Sequence, residues 1–262
     1  MPDPATLAES LEPLRSDPAH AAVLLDIDGT LAPIVRHASD AAVPESTRGL
    51  LIDVARRYKT VACISGRAAT DARRIVAIGS ISYVGNHGCE LLAAGTVEVV
   101  LDPEVAPWIK RVREFAGLAN SPKLRKLRVR GEDKGPIAAF HWRGVPDEDA
   151  AEAALREVEV DARSAGFLVH WGRKVLEIRP PIEIDKGRGI TGLLRDGDAV
   201  AGLYIGDDET DVDAFRGLRS AIPGGAVCIG VRSDETSDAL EREADLMVDG
   251  PRGVRRVLQG LL

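Results

Sequence analysis

Short apolar runs recur along the chain at Ala22–Ile27, Thr60–Ile64, Ile81–Val84, Val200–Ile205 and Val227–Val231, and each ends in polar or glycine-rich residues. Their apolar character is nearly continuous, as in parallel strands buried on both faces. Between them, Glu45–Tyr58, Ala68–Ala77, Gly187–Arg195 and Thr210–Leu218 read as helices. Strands alternating with helices predict an α/β core built on a doubly wound parallel sheet.

The middle of the chain follows another pattern. Pro107–Gly117 and the Ala- and Glu-rich Pro146–Ala165 read as helices. Lys126–Arg130 and Ile137–Trp142 read as strands around a Gly131–Gly135 turn, and Phe167–Trp171 and Val175–Arg179 as a hairpin around Gly172 and Arg173. Two helices with four antiparallel strands predict an α+β insertion over 107–183, set inside a core formed by 1–106 and 184–262.

Composition narrows the chemistry. The net charge of −7 and pI near 5.4 disfavour nucleic acid as a partner, because phosphate-backbone binding needs a basic face. The three cysteines, Cys63, Cys89 and Cys228, are odd in number and widely spaced, which predicts neither a disulfide frame nor a zinc site. A reducing, cytoplasmic setting is expected. The first twenty residues lack a basic-then-apolar leader, and no apolar stretch is long enough to span a bilayer.

The candidate chemistry gathers where strands end, since ligands of open α/β sheets bind beyond the carboxyl ends of the strands. The first run leads into Asp26-Ile27-Asp28-Gly29-Thr30, the second into Ser65-Gly66-Arg67, and the fourth into Gly206-Asp207-Asp208-Glu209-Thr210-Asp211. Lys186 precedes the helix before the fourth strand. Buried carboxylates need a cation, and Asp26, Asp28, Asp207 and Asp208 offer only hard oxygen ligands, which points to Mg²⁺. The cation would also offset the repulsion between an aspartate and a phosphate, about 4 kcal/mol per unit charge pair at ~4 Å and an effective dielectric near ~20.

Asp26 lies nearer the rigid strand and is the candidate nucleophile, while Asp28 is the candidate acid/base. Gly29 permits a turn that aims backbone N–H groups at phosphoryl oxygens, Thr30 is placed to orient Asp28, and Ser65 to bond the transferring group. Ile27, Gly66 and Arg67 complete the expected phosphate site. Four such signals at one predicted edge point to a phosphatase.

At these residues the sequence resembles the haloacid dehalogenase (HAD) superfamily, whose four motifs match Asp26-x-Asp28-Gly29-Thr30-Leu31, Ser65, Lys186 and Gly206-Asp207-Asp208-x-x-Asp211. The resemblance implies a HAD-like core with a C2-type cap and an aspartyl-phosphate on Asp26. It also implies magnesium held by Asp26, the Asp28 carbonyl and Asp207, with Asp208 or Asp211 in support. More narrowly, Gly85-Asn86-His87-Gly88-Cys89-Glu90, His141-Trp142-Arg143, Lys174-Val175-Leu176-Glu177-Ile178-Arg179-Pro180 and Asp185-Lys186-Gly187 are similar to the trehalose-6-phosphate phosphatase family. Ile27, Trp142 and Val212 depart from that family's usual residues.

This resemblance implies a sugar-phosphate substrate contacted by Asn86, His87, Glu90, His141, Arg143, Lys174 and Glu177, with a cap that closes over the sugar. It also implies a functional link to a trehalose-6-phosphate synthase. Phosphatases of sucrose phosphate, mannosylglycerate phosphate or a hexose phosphate, and a non-catalytic sugar-phosphate sensor or synthase subunit, remain as alternatives.

Overall fold

The computed structural model describes residues 3–35, 40–233 and 236–262. The chain forms two compact units, one of residues 1–100 with 184–262 and one of residues 101–183. The insertion therefore begins at Leu101, six residues before the boundary expected from the sequence.

In chain order the helices are α1 (Pro4–Ser16), α2 (Glu45–Arg57), α3 (Ala69–Val76), α4 (Ile109–Ala119), α5 (Pro122–Lys126), α6 (Glu148–Ser164), α7 (Lys186–Leu194), α8 (Thr210–Ala221), α9 (Asp238–Glu243) and α10 (Gly250–Gly260). The strands are β1 (Ala21–Leu25), β2 (Thr60–Ile64), β3 (Ser82–Gly85), β4 (Glu90–Leu92), β5 (Val99–Leu101), β6 (Arg130–Asp133), β7 (Ala138–His141), β8 (Leu168–Gly172), β9 (Val175–Arg179), β10 (Ala201–Gly206), β11 (Ala226–Arg232) and β12 (Leu246–Asp249).

The larger unit carries a sheet in the order β12-β11-β10-β1-β2-β3-β4-β5. From β12 to β3 every neighbour is parallel, and β4 turns back antiparallel on β3. Period two divides β1 between two cores. Val23 and Leu25 pack with α1, α2, α3 and α10, while Ala22 and Leu24 pack with α7, α8 and α9. Burial on both faces is the physical reason these strands read as unbroken apolar runs. The chain leaves β1 for β2 on one side and returns through β10 on the other, so the switch point lies at the carboxyl end of β1.

The smaller unit is a four-stranded antiparallel sheet in the order β6-β7-β9-β8. Ala138, Phe140, Leu176 and Ile178 face α4 and α6, and Ala151, Ala154, Leu155, Val158 and Ala162 of α6 meet them at helical spacing. One expectation fails here. Residues Pro122–Lys126 are helix α5, started by Pro122 and by Ser121, whose hydroxyl accepts from the Leu124 N–H at 3.4 Å. The strand expected at Lys126–Arg130 instead spans Arg130–Asp133.

Among the described residues, no helix is long and apolar enough to cross a membrane. Helices α7 and α8 pack closely because glycine faces glycine. A Cβ on Gly217 would lie 2.4 Å from the Gly187 Cα and 2.6 Å from its carbonyl oxygen. Backbone cannot yield as a side chain does. Gly217→Ala is therefore expected to lower unfolding free energy by about 1–3 kcal/mol, read from the urea midpoint.

Candidate active site

Asp26 follows β1, and its N–H donates to the Ile205 carbonyl on β10 at 2.8 Å. This bond continues the β1–β10 ladder one residue past the strand, so Asp26 sits on rigid backbone. Its carboxylate Oδ1 accepts from Lys186 Nζ at 2.8 Å. Lys186 opens α7, whose N-cap is Asp185, and it reaches Asp211 Oδ1 at 2.6 Å as well. Asp26, Asp211 and Lys186 are all buried.

Asp211 organises the loop after β10. Its Oδ2 accepts from the N–H groups of Asp207 at 2.8 Å and Asp208 at 3.0 Å, and its Oδ1 accepts from the Tyr204 hydroxyl at 2.6 Å. Asp26, Asp207 and Asp211 each place a carboxylate oxygen within 4.8 Å of the other two. Thr30 donates to Asp207 Oδ1 at 3.2 Å, and so orients that aspartate rather than Asp28. Gly29 has φ +85°, and a Cβ there would fall 2.0 Å from Asp207 Oδ2. Glycine is needed both for the left-handed turn and for the space that the carboxylate fills.

The electrostatics of this cluster call for another cation. Three ionised carboxylates against one ammonium leave two negative charges in a buried space. Burial raises Asp26 well above the usual carboxylate range, and its carboxylate neighbours raise it further against the pull of Lys186. Burial, with Asp211 and Asp208, pushes Asp207 up to about 7. For Lys186, burial works to lower its pKa, but Asp211 and Asp26 outweigh it and hold the ammonium well above its ordinary value. A divalent ion would balance the charge, and the donors are hard oxygens, so the residues fit one.

The other predicted residues divide. Arg67 forks onto Asp28, with Nε 2.6 Å from Oδ2 and Nη2 2.7 Å from Oδ1. The Asp28 side chain is thus apart from the carboxylate triad. Asp208 turns its Oδ1 to the Thr210 N–H and hydroxyl at 2.8 and 2.6 Å, starting α8, and the third carboxylate of the triad is Asp211. The Ile27 side chain is in the apolar core. Ser65 is buried after β2, and its hydroxyl accepts from the Arg67 N–H at 3.2 Å.

The Asn86–Glu90 loop packs against the same motif. His87 N–H donates to the Ser65 carbonyl at 3.1 Å, and its ring covers Gly66, where a Cβ would lie 2.6 Å from the His87 Cε1. Glu90 spans Asn86 Nδ2 at 2.8 Å and the Ala69 N–H at 2.9 Å, so its carboxylate braces this loop against α3.

In the smaller unit, Glu132, Ala139, Glu177 and His170 form one row across the sheet. Directly paired residues share a face, here the one opposite the helices. Glu177 accepts from Lys134 Nζ at 3.1 Å and Arg179 Nε at 3.0 Å, and His141 Nε2 lies 2.7 Å from Glu132 Oε2. Lys174 is in the hairpin turn, with φ +58° and its Nζ 3.1 Å from Glu148 Oε2. Arg143 follows the end of β7 and bonds the Arg173 carbonyl at 3.4 Å. The sequence did not single out the ion pairs that Glu132 makes with His141 and that Lys134 and Arg179 make with Glu177, nor Tyr204, whose hydroxyl in an apolar strand was the available signal.

Comparison with known proteins agrees with this geometry. The trehalose-phosphatase family model matches residues 24–247. The chain is 31% identical to trehalose 6-phosphate phosphatase RA3 of Zea mays, covering 98% of this chain and 74% of that protein. It is 30% identical to probable trehalose-phosphate phosphatase D of Arabidopsis thaliana, covering 82% of this chain but 61% of that protein's length. The C-terminal domain of a C. albicans trehalose-6-phosphate phosphatase shares the fold, with a TM-score of 0.72 and 21% identity over 98% of this chain and 95% of that one. With Asp26, Lys186, Asp207 and Asp211 drawn together at one sheet edge and the family match running through all of them, the chain belongs to the trehalose-phosphatase family.

Proposed function

We propose that the protein hydrolyses trehalose 6-phosphate to trehalose and phosphate. The observation that carries this reading is the Asp26 carboxylate at the switch point, held by Lys186 and grouped with Asp207 and Asp211. Asp26 attacks phosphorus and becomes an aspartyl phosphate, and Asp28 serves the leaving sugar oxygen and then the attacking water. Lys186 holds the nucleophile in place and, with Ser65, supplies positive or donor character at the phosphoryl oxygens.

Asp26, Asp207 and Asp211 would hold magnesium, which supplies charge neutralisation for the phosphoryl group when bound. Glu177, with Lys134 and Arg179 against it, and Glu132, with His141, form the sugar-recognising face of the smaller unit. The buried thiols of Cys63, Cys89 and Cys228 suit a reducing cytoplasmic setting, and the product chemistry suits a partnership with a trehalose-6-phosphate synthase.

Phosphate release is to be compared across trehalose 6-phosphate, sucrose phosphate, mannosylglycerate phosphate and glucose 6-phosphate with Mg²⁺. The expected result is a kcat/KM for trehalose 6-phosphate at least ~10-fold above the others, a difference of about 1.4 kcal/mol; equal values would remove the trehalose assignment. Asp26→Asn is expected to retain the fold by circular dichroism and lose ~10³-fold or more in kcat. Glu177→Gln should raise KM for the sugar phosphate by ~10-fold with kcat within ~3-fold, because a charge-assisted contact contributes about 1.5–3 kcal/mol.

Metal binding should be linked to protons. Asp207 is raised to about 7 in the metal-free fold, so its neutral form is the more stable one below that pH. Such a group adds stability below its unfolded pKa and loses it as pH rises through the folded value. The metal-free protein is therefore expected to weaken between pH ~4 and ~7, and Mg²⁺ affinity by titration calorimetry to rise across pH ~6 to ~8.

A further inference from the structure

The fork between Arg67 and Asp28 joins two motifs from different strands. Asp28 lies two residues beyond Asp26 after β1, and Arg67 two residues beyond Ser65 after β2. The guanidinium meets both carboxylate oxygens, at 2.6 and 2.7 Å, with the Arg67 side chain 19% and the Asp28 side chain 38% exposed. Two N–H···O bonds fix the plane of a carboxylate as well as its position, which one contact or a lysine ammonium does not.

Arg67 is itself braced. Its N–H donates to the Ser65 hydroxyl at 3.2 Å, and its carbonyl accepts from the Asn86 N–H at 2.8 Å. Asn86 is tied in turn to Glu90, whose other oxygen holds the first N–H of α3. Asn86 and His87 both adopt positive φ, at 48° and 55°, a conformation that costs non-glycine residues free energy and persists where surrounding bonds over-determine it. The loop is thus spent on holding the backbone from which the Arg67 guanidinium projects.

We propose that Arg67 is a positioning residue for the leaving-group step, acting through Asp28. This rests on the phosphatase reading above. An ionised carboxylate has four lone-pair sites, and the fork uses two, so each oxygen retains one site for a second partner. In the first step an Asp26 oxygen bonds to phosphorus while the phosphorus–oxygen bond to the sugar breaks. Asp28 enters this step carrying a proton on an oxygen site that the fork leaves open; the electron pair stays on the sugar oxygen, which takes that proton and leaves Asp28 ionised. In the second step water adds to phosphorus, gives its proton to Asp28, and Asp26 leaves. Both proton transfers need the Asp28 carboxyl at one fixed angle to phosphorus, and the guanidinium fork sets that angle.

The test compares two leaving groups in wild type, Arg67→Lys, Arg67→Ala, Asp28→Asn and the Arg67→Ala/Asp28→Asn double variant, with folding checked by thermal melts. A sugar alkoxide needs a proton as it leaves, and p-nitrophenolate does not. The expected result is a fall in kcat/KM, which reports only the steps up to departure of the leaving group, of ~30-fold or more on the sugar phosphate for Arg67→Lys, with KM within ~3-fold, and at least ~10-fold less loss of kcat/KM on p-nitrophenyl phosphate. The double variant should be no slower than Asp28→Asn, because the two residues act as one unit.

Equal losses on both substrates, or losses that multiply in the double variant, would overturn the proposal. So would Arg67→Lys raising KM with kcat unchanged, which marks plain phosphate binding. Should Arg67→Ala fail to fold, the leaving-group ratio of Arg67→Lys alone decides between support and rejection. The ratio needs only a sugar phosphate that the wild type turns over. Failure of the trehalose assignment would therefore show in the substrate panel and leave this comparison standing.

Discussion

A lysine ammonium shared by two buried aspartates is the interaction on which the rest of this site depends. Lys186 comes from the start of α7, Asp26 from the end of β1 and Asp211 from the first turn of α8. Removing either kind of charge would leave the other buried without a partner, and that costs more than the pair contributes. The close glycine contact between α7 and α8 exists at the right place to let this bond form. Packing and electrostatics are therefore one constraint here: the helices must approach closely enough for an ammonium to reach both carboxylates.

The same cluster carries more negative charge than one lysine can balance. Asp207 is held by Thr30 and by the backbone bond to Asp211, in the space that Gly29 leaves open. Such a group of fixed carboxylates is unfavourable by itself and becomes favourable when a hard divalent ion joins it. The site is thus pre-arranged for the ion, with the desolvation of its carboxylates supplied by folding rather than at the moment of binding. Tyr204 fits this view, since its hydroxyl satisfies Asp211 from a strand otherwise given over to the core.

Asp28 belongs to a second, more exposed network. Arg67, Ser65, Asn86 and Glu90 form a chain of bonds that runs from the acid/base candidate to the start of α3. Two aspartates separated by one residue thereby enter different environments. One is buried beside a lysine, and the other is part-exposed and forked by a mostly buried arginine. The chain leaves β1 at Leu25 and bends before Asp28, and environment assigns the two carboxylates different work.

The sequence by itself determined the α/β core, the inserted α+β unit and the strand ends where Asp26, Ser65 and Asp207 stand. Strands buried on both faces and helices with one apolar face leave periodic traces that need no tertiary knowledge. Side-chain partners left no such trace. Asp208 and Asp211 were equally plausible as the supporting carboxylate, and only the turn after β10 directs Asp208 to Thr210 and Asp211 to Lys186. Thr30 was expected to orient Asp28 and meets Asp207, 177 residues away. Glu90 and Asn86, expected at the sugar, bond each other, and Glu90 also holds the first N–H of α3. Lys134 had no partner visible in the sequence because Glu177 lies 43 residues on. Local periodicity is a property of neighbours in the chain, whereas hydrogen-bond partners are decided by which distant strands the folded sheet sets side by side.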